Sequence, residues 1–197
     1  MPLKYYQRKL SKDDINALPI KSYEGRIELI TGIKSLDRAL KHLKQERVLG
    51  FDTETKPSFR KGMINNPSLV QFATVDTVYL IQLICVPFGQ AVAELLSDHN
   101  VLKVGVSIAD DMRELRKLYE FEPAGVLDLG NIAKMHHFST QGLRNLAANL
   151  FDFRISKGPQ CSNWSAKVLS KKQIIYAATD AWIGREIFLR MEELEMI

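Results

Sequence analysis

Four carboxylates and one tyrosine in this sequence could act at a single centre. They lie in three separate segments: Asp52 and Glu54 in VLGFDTET, Asp111 in VGVSIADDMREL, and Tyr176 with Asp180 in YAATDAW. The first pair ends an apolar run that is typical of a buried strand. Two ionised carboxylates side by side repel each other, and burial increases the cost. Divalent cations between them would remove this repulsion and would supply chemistry.

The spacing within each segment predicts which side chains point the same way. A strand places residues i and i+2 on one face about 7 Å apart, so Asp52 and Glu54 should point together and Thr53 away from them. Tyr176 and Asp180 are four residues apart and would share one face of a helix. Each pattern is common by itself, since an acid in a first helical turn, such as Asp111, already favours the helix dipole. Together, however, the three segments direct acids to one edge of one predicted sheet.

The residue types indicate a particular chemistry. Oxygen-only ligands favour Mg²⁺ or Mn²⁺. Two such ions about 3.5–4 Å apart could hold the attacking and leaving oxygens of an in-line phosphoryl displacement. A tyrosine hydroxyl with a pKa near 10 is a poor base at neutral pH, so we expect Tyr176 to orient a water molecule. The pattern therefore predicts metal-assisted hydrolysis of a phosphodiester.

The elements that position these residues can be predicted from hydrophobic periodicity. Early strands followed by alternating strands and helices predict a mixed α/β sheet with helices on both faces. The first acids and the start of the Asp111 helix fall at carboxyl ends of strands, where such sheets bind ligands. Strands are predicted at 26–30, 48–54, 68–75, 77–83 and 101–106, and helices at 34–43, 90–96, 109–119, 140–150 and 170–190.

We interpret the chain as one domain, residues 24–197, preceded by an N-terminal arm, residues 1–23. Ser11 is the expected N-cap of a short helix in the arm. The arm carries lysines, arginine and aromatic residues that could touch nucleic acid, but packing on the domain is the stronger expectation. The sequence shows no internal repeat and no low-complexity tract.

Composition excludes several classes of protein. The chain has 197 residues with 46% apolar and 25% charged side chains, which is ordinary for a globular domain. No apolar stretch reaches the length of a membrane span, and the N-terminus lacks the apolar core of a secretory signal. Cys85 and Cys161 are too few for a disulfide scaffold, so a cytoplasmic location without membrane attachment is expected. The net charge of +4 permits polyanion binding without demonstrating it. The sequence identifies no protein partner.

In order and spacing, the three motifs resemble those of the DEDD superfamily of 3′–5′ exonucleases, in its tyrosine-bearing branch. The matching segments are GFDTET, VGVSIADDMREL and YAATDAWIGREIF, and the resemblance covers residues 27–189. The stretch KGPQCSNWSAKVLSKKQIIYAATDA is similar to Werner-type exonuclease and ribonuclease D, with the Werner-type domain the nearer of the two. The resemblance implies a ribonuclease H-like fold and two divalent cations, Mg²⁺ or Mn²⁺. It also implies release of nucleoside 5′-monophosphates from the 3′ end of DNA or RNA.

The family's roles can be carried onto this sequence residue by residue. Asp52, Glu54 and Asp180 would hold the first metal ion. Asp52 would also contact the second ion, which Asp111 would hold directly or through water, and Tyr176 would orient the attacking water. Asp110 competes with Asp111 for the second-motif role. The family pattern favours Asp111, and helical spacing places it on the same side as the apolar Leu115.

Six further residues are candidates for substrate contact. The resemblance suggests that the backbone near Thr55 and a residue in the loop after the first motif approach the 3′ end. Trp164 lies in an SNW signature, where we expect it to support Tyr176 rather than stack on a base. The full set of candidates is Thr53, Thr55, Met63, Arg113, Lys157 and Trp164.

Two alternative functions remain open from the sequence alone. One is an RNA 3′-end trimming enzyme like ribonuclease D, because no residue reports on recognition of the 2′-hydroxyl. The other is a nucleic-acid-binding module whose catalysis is vestigial. Since decayed family members would be expected to lose acids and all are present here, the enzyme is favoured.

Overall fold

A computed structural model describes residues 5–58 and 65–197. Six strands form one mixed sheet in the order β1-β4-β3-β2-β5-β6. The β2–β3 and β3–β4 pairs are antiparallel, and the β1–β4, β2–β5 and β5–β6 pairs are parallel. The strands are β1 (Arg26–Ile30), β2 (Val48–Thr55), β3 (Pro67–Ala73), β4 (Thr77–Gln82), β5 (Leu102–Gly105) and β6 (Val126–Asp128).

Seven α-helices surround or flank this sheet in the described part of the chain. None of them is both long and apolar enough to cross a bilayer. Two short 3₁₀ turns lie at Tyr5–Gln7 and Gly158–Cys161. The helices are α1 (Lys12–Ala17), α2 (Ile33–Leu43), α3 (Gln90–Ser97), α4 (Ile108–Arg116), α5 (Leu129–Met135), α6 (Leu143–Phe151) and α7 (Lys171–Glu193).

Strand alternation divides the core between the two faces of the sheet. On one face, Phe51 of β2 and Phe72 of β3 pack with buried side chains of α2, α3 and α4. On the other face, Leu69 of β3 and Leu80 of β4 pack under the alanine-rich middle of α7. The sheet is therefore covered by helices on both sides, as the sequence predicts.

Most predicted elements are confirmed, with boundaries that differ by a few residues. Residues 68–75 and 77–83 do form the antiparallel hairpin, and Ser170 does cap α7. Sequence periodicity missed β6 and α5. A strand of three residues and a helix of seven, with Gly130 inside it, are too short for a clear periodic signal.

The described part of the N-terminal arm packs on the domain. Tyr6 is buried and stacks on Phe138, with ring centroids 5.2 Å apart. The Arg8 guanidinium forms an ion pair with Asp152. Ser11 caps α1 through a capping box, as predicted. Further along, Ile20 forms a parallel β-bridge with Arg154, which brings the end of the arm to the segment after α6.

Candidate active site

Strand β2 presents its acids to α7. Alternation places Asp52 and Glu54 on the same face as Gly50, and Gly50 lies directly beneath α7. A Cβ atom at Gly50 would lie 2.0 Å from the Ala181 carbonyl oxygen, so only glycine allows this approach. The close contact brings Asp180, the neighbour of Ala181, to the acids of β2.

Three carboxylates meet at this point. One oxygen each from Asp52, Glu54 and Asp180 lies within 4.8 Å of the others, which is close enough to hold one ion. Glu54 and Asp180 are buried, and Asp52 is partly exposed. The structure thus brings together the three acids that the sequence assigns to the first metal ion.

The fourth acid approaches from α4. Thr53 points to the opposite face from Asp52, as predicted, and its hydroxyl donates a hydrogen bond to the Asp111 carboxylate. Asp110, in contrast, is exposed and forms an ion pair with Arg113 at 2.8 Å. Of the two adjacent acids, geometry therefore favours Asp111 for the site. The turn before α4 places Ser107 at a φ of 60°, an uncommon conformation for a residue other than glycine.

The electrostatics of the site reflect this crowding. Loss of hydration raises the pKa of Asp52 well above its usual range, and the charges of Asp111, Asp180 and Glu54 raise it further. Burial, followed by the charge of Asp180, raises the pKa of Glu54 to about 9. Burial likewise raises the pKa values of Asp111 and Asp180 to about 7. Each change indicates a carboxyl group that lacks a positive partner among the residues that the structure describes.

Tyr176 lies one helical turn before Asp180, and its ring packs against the Trp164 ring. Burial, together with the charges of Asp180 and Glu54, raises the pKa of its hydroxyl above the ordinary value of 10.0. The hydroxyl is therefore neutral and can donate a hydrogen bond. Trp164 is fully buried against Tyr176, with ring centroids 6.0 Å apart, and its indole N–H donates to the Gln160 carbonyl.

Several buried polar atoms at the site have no hydrogen-bond partner among the described residues. They include Asp180 Oδ1 and both amide atoms of Gln71. Gln71 is fully buried on β3 and is the register partner of Asp52 on β2, so the two side chains share a face. Buried polar groups in native proteins are almost always satisfied by protein, water or ions. Unpartnered carboxylate oxygen beside two other acids fits a bound divalent cation.

A cavity of 340 Å³ is lined by Asp52, Glu54, Asp180 and Tyr176, whereas Asp111 is not part of its lining. This volume is near the lower end of the range for small-molecule sites, about 300–1,000 Å³. Lys157 lines the cavity, in agreement with its predicted place near the substrate. Sequence reasoning missed four polar residues of the wall: Arg144, Asn145, Ser156 and Gln160. Arg144 and Asn145 lie in the first turn of α6, which begins after Gly142. The helix predicted at 140–150 was the signal in the sequence that could have indicated these two residues.

Sequence reasoning also missed a fifth acid. Asp128 ends β6 beside the other strand ends, and its charge raises the pKa of Asp111. Its carboxylate, however, accepts the backbone N–H groups of Gly130 and Asn131 as the N-cap of α5. Asp128 is therefore engaged in capping α5, and we do not assign it to the metal site.

The remaining candidates for substrate contact have different outcomes. Trp164 cannot stack on a base because it is fully buried, so its inclusion as a substrate contact is wrong, whereas its support of Tyr176 agrees with the structure. Arg113 is exposed, is paired with Asp110 and is not among the described residues that line the cavity. Thr55 is partly exposed at the end of β2, outside the described lining of the cavity. Met63 lies outside the described residues.

Fold and site together define a class: an α/β domain with an acidic, metal-binding centre at the strand ends. The sequence profile of a family described as 3′-5′ exonuclease matches residues 27–194. The chain belongs to this family of nucleases, whose members act with two divalent metal ions.

Individual relatives agree with this assignment. The chain is 33% identical to ribonuclease D of Gluconacetobacter diazotrophicus over 85% of its length, which is 43% of that protein. It is 28% identical to the bifunctional 3′-5′ exonuclease/ATP-dependent helicase WRN of Mus musculus over 75% of its length, which is 11% of that protein. Resemblance to both groups is confirmed, and these identities do not favour the Werner-type domain. The chain spans less than half the length of these curated relatives.

A solved structure supports the fold as well. The EXO domain of Nibbler from Aedes aegypti superimposes with a TM-score of 0.79 and is 26% identical. The match covers 90% of this chain and 92% of that domain. The predicted ribonuclease H-like fold is therefore confirmed.

Proposed function

We propose that this chain removes nucleoside 5′-monophosphates from the 3′ end of DNA or RNA, with residues 24–197 as the catalytic domain. One observation carries the proposal: three carboxylate oxygens within 4.8 Å of one another lie beside the Tyr176 hydroxyl in one cavity. Membership of the 3′-5′ exonuclease family supports the same reaction. Two unpaired cysteines are consistent with the cytoplasmic location that we also propose.

Each residue of the site has a task in this reaction. Asp52, Glu54 and Asp180 would hold one Mg²⁺ or Mn²⁺ ion, and Asp52 and Asp111 a second. When bound, such ions lower the pKa of water and stabilise charge on the transferring phosphoryl group. The Thr53 hydroxyl orients Asp111.

Tyr176 has a separate task, because it carries no charge that could hold an ion. Its neutral hydroxyl is placed to hydrogen-bond the attacking water and fix its approach. Trp164 fixes the tyrosine ring from behind. Lys157, at the cavity wall, can meet the phosphate of the terminal nucleotide.

The direct test is digestion of a 5′-labelled oligonucleotide by the purified protein with Mg²⁺ or Mn²⁺. We expect a ladder that shortens one nucleotide at a time, and loss of at least about a thousandfold in rate for Asp52→Asn. Asp111→Asn and Asp110→Asn form a matched pair of adjacent acids, of which only the first should lose activity. A wild-type protein that is inert with Mn²⁺ on all DNA and RNA substrates would contradict the proposal.

The tyrosine can be tested independently of the metal ligands. Tyr176→Phe removes only the hydroxyl, so we expect the rate to fall by roughly a hundredfold while Mn²⁺ affinity is unchanged. Titration calorimetry with Mn²⁺ measures the affinity. An equal loss of affinity in Tyr176→Phe would mean that the tyrosine holds the site together and does not orient water.

RNA 3′-end trimming is the second candidate, and the 33% identity to a ribonuclease D favours it. Matched single- and double-stranded DNA and RNA, digested side by side, distinguish the two activities. A binding module without catalysis would show tight binding that EDTA does not alter and no turnover on any strand.

A further inference from the structure

A second cavity borders Tyr176 and has none of the acids in its lining. Its volume is 710 Å³, and it shares Ser156 and Tyr176 with the catalytic cavity. Three segments line it: residues 20–22 of the arm, residues 156–162, and the first turns of α7 from residue 170 to 179. We refer to this cavity as the α7 groove.

The chemistry of the α7 groove is the reverse of that of the catalytic cavity. None of the described residues that line it is acidic, and two of them, Lys21 and Lys172, are exposed lysines. Its apolar surface includes Ile20, which is 56% exposed, and Ile175. A lining that combines apolar side chains with exposed lysines suits a nucleotide, whose base is flat and apolar on its faces and whose phosphate is anionic.

Much of the wall of the α7 groove is already held in place by its own hydrogen bonds. The Gln173 amide donates to the Ser162 hydroxyl at 3.0 Å, which ties the start of α7 to the 156–162 segment. Thr179 accepts a hydrogen bond from the backbone N–H of Tyr23 at 3.0 Å, which ties the arm to α7. The groove is therefore formed before any ligand binds, and its shape depends on the arm.

The two lysines are available to a ligand in different ways. Lys172 forms no ion pair within the described part of the chain, and neither does its neighbour Lys171. Lys21 places its ammonium 5.0 Å from the centroid of the Phe153 ring, which holds the side chain at the groove. A phosphate in the groove would meet either cation without having to displace an acidic partner among the described residues.

We propose that the α7 groove binds the nucleotide on the 5′ side of the scissile phosphate, while the catalytic cavity holds the terminal nucleotide. The inference rests on the proposed exonuclease function. The main support is that the two cavities adjoin, because Tyr176 borders both of them. The bond to be broken lies between two nucleotides, so adjoining cavities can hold one nucleotide each. Charge complementarity supports it, since the strand is anionic and the groove carries only cations.

The test compares a substrate that fills only the catalytic cavity with one that fills both. Thymidine 5′-p-nitrophenyl phosphate replaces the upstream nucleotide by a small leaving group, and a 5′-labelled oligothymidylate retains it. Lys172→Glu should raise KM for the oligonucleotide about tenfold and leave hydrolysis of the small ester unchanged. Lys171→Glu is the matched control, because it makes the same charge change one residue away from the groove. Its KM should stay within about twofold of wild type.

A second variant tests the opposite wall. Ile20→Glu adds an acid at an exposed position of the arm and should also raise KM for the oligonucleotide alone. Equal effects of Lys171→Glu and Lys172→Glu, or unchanged KM in both Lys172→Glu and Ile20→Glu, would overturn the inference. A wild-type protein that hydrolyses neither substrate would overturn the proposed function instead.

Discussion

Two neighbouring strands bury charge in opposite ways. Lys103 on β5 is fully buried, and its ammonium donates to the carbonyl oxygens of Leu95, Asp98 and Val101 at 3.1, 2.7 and 2.7 Å. On β2, Glu54 is buried beside other carboxylates and forms no ion pair with any of the described residues. A buried charge is thus not in itself a sign of function. A buried charge that lacks a partner among residues 5–58 and 65–197 is a sign of function.

The pKa values of the two regions express this difference. Burial lowers the pKa of Lys103 to about 8, which still leaves the amine protonated at neutral pH, where its carbonyl partners can accept. Burial raises the pKa of Glu54 to about 9, so its charge is suppressed at neutral pH unless a cation binds. The first region is complete within the fold, and the second requires a ligand.

The largest effect should come from changing pH in the absence of metal. The pKa values of Glu54, Asp111 and Asp180 are higher in the folded state than their ordinary values of 4.5, 3.8 and 3.8. The folded protein therefore binds more protons than the unfolded chain between about pH 4 and pH 9, and stability should fall as pH rises through this window. Mn²⁺ at a hundredfold excess over its Kd should restore about 3 kcal/mol at pH 8.

Chemical denaturation in EDTA and in Mn²⁺ across this pH range measures the effect. Asp52→Asn serves as the control, because it removes one of the repelling charges and one ligand. Its decline with pH in EDTA should be shallower, and its response to Mn²⁺ should be lost. If the stability of the wild-type protein in EDTA did not fall as pH rises, the carboxyl groups of the site would not be the uncompensated charges described above.

A smaller effect on stability should come from substitution of Lys103, the buried cation of β5. Lys103→Met keeps the length of the side chain but leaves three carbonyl oxygens without their donor, so we expect a loss of about 2 kcal/mol in the free energy of unfolding. Mn²⁺ affinity and activity of the folded variant should remain those of the wild type. Increased stability in Lys103→Met would mean that the ammonium is as poorly accommodated as the acids.

The smallest effect should come from substitution of Gln71, where stability and Mn²⁺ affinity are expected to respond differently. Its amide has no described hydrogen-bond partner, so Gln71→Met should leave the metal-free protein equally stable or up to about 1 kcal/mol more stable. If the amide is satisfied only when the site is loaded, Mn²⁺ affinity should fall severalfold in the same variant. Calorimetry and denaturation in EDTA give the two readouts. Lower stability with unchanged affinity would assign Gln71 to packing alone.

The sequence predicted the central elements and the four acids because both leave strong local signals. An apolar run predicts a buried strand, and the two charged residues at its end, Asp52 and Glu54, conflict with burial. Such a conflict can be recognised without coordinates. Tyr176 and Asp180 share a face at helical spacing. Their common centre with Asp52 was inferred from strand ends, and the structure places it there.

What the sequence could not predict depends on contacts between distant segments. Nothing near Gln71 indicates that it lies opposite Asp52, because that pairing is set by strand register. Likewise, Ile20 and Lys172 belong to segments far apart in sequence. They line one groove because tertiary contacts, among them the bridge from Ile20 to Arg154 and the hydrogen bond from Tyr23 to Thr179, hold the arm in place. Lys103 looks in sequence like any polar residue in a short strand, and its burial follows from tertiary packing.

The close contact between Gly50 and α7 has a consequence for biosynthesis. Helix α7 carries Asp180 and Tyr176, and it is the final element of the described fold to leave the ribosome. Before it docks over Gly50, a nascent chain displays Asp52 and Glu54 without the third ligand of the cluster. The domain therefore cannot assemble the three-acid cluster until its synthesis has passed α7.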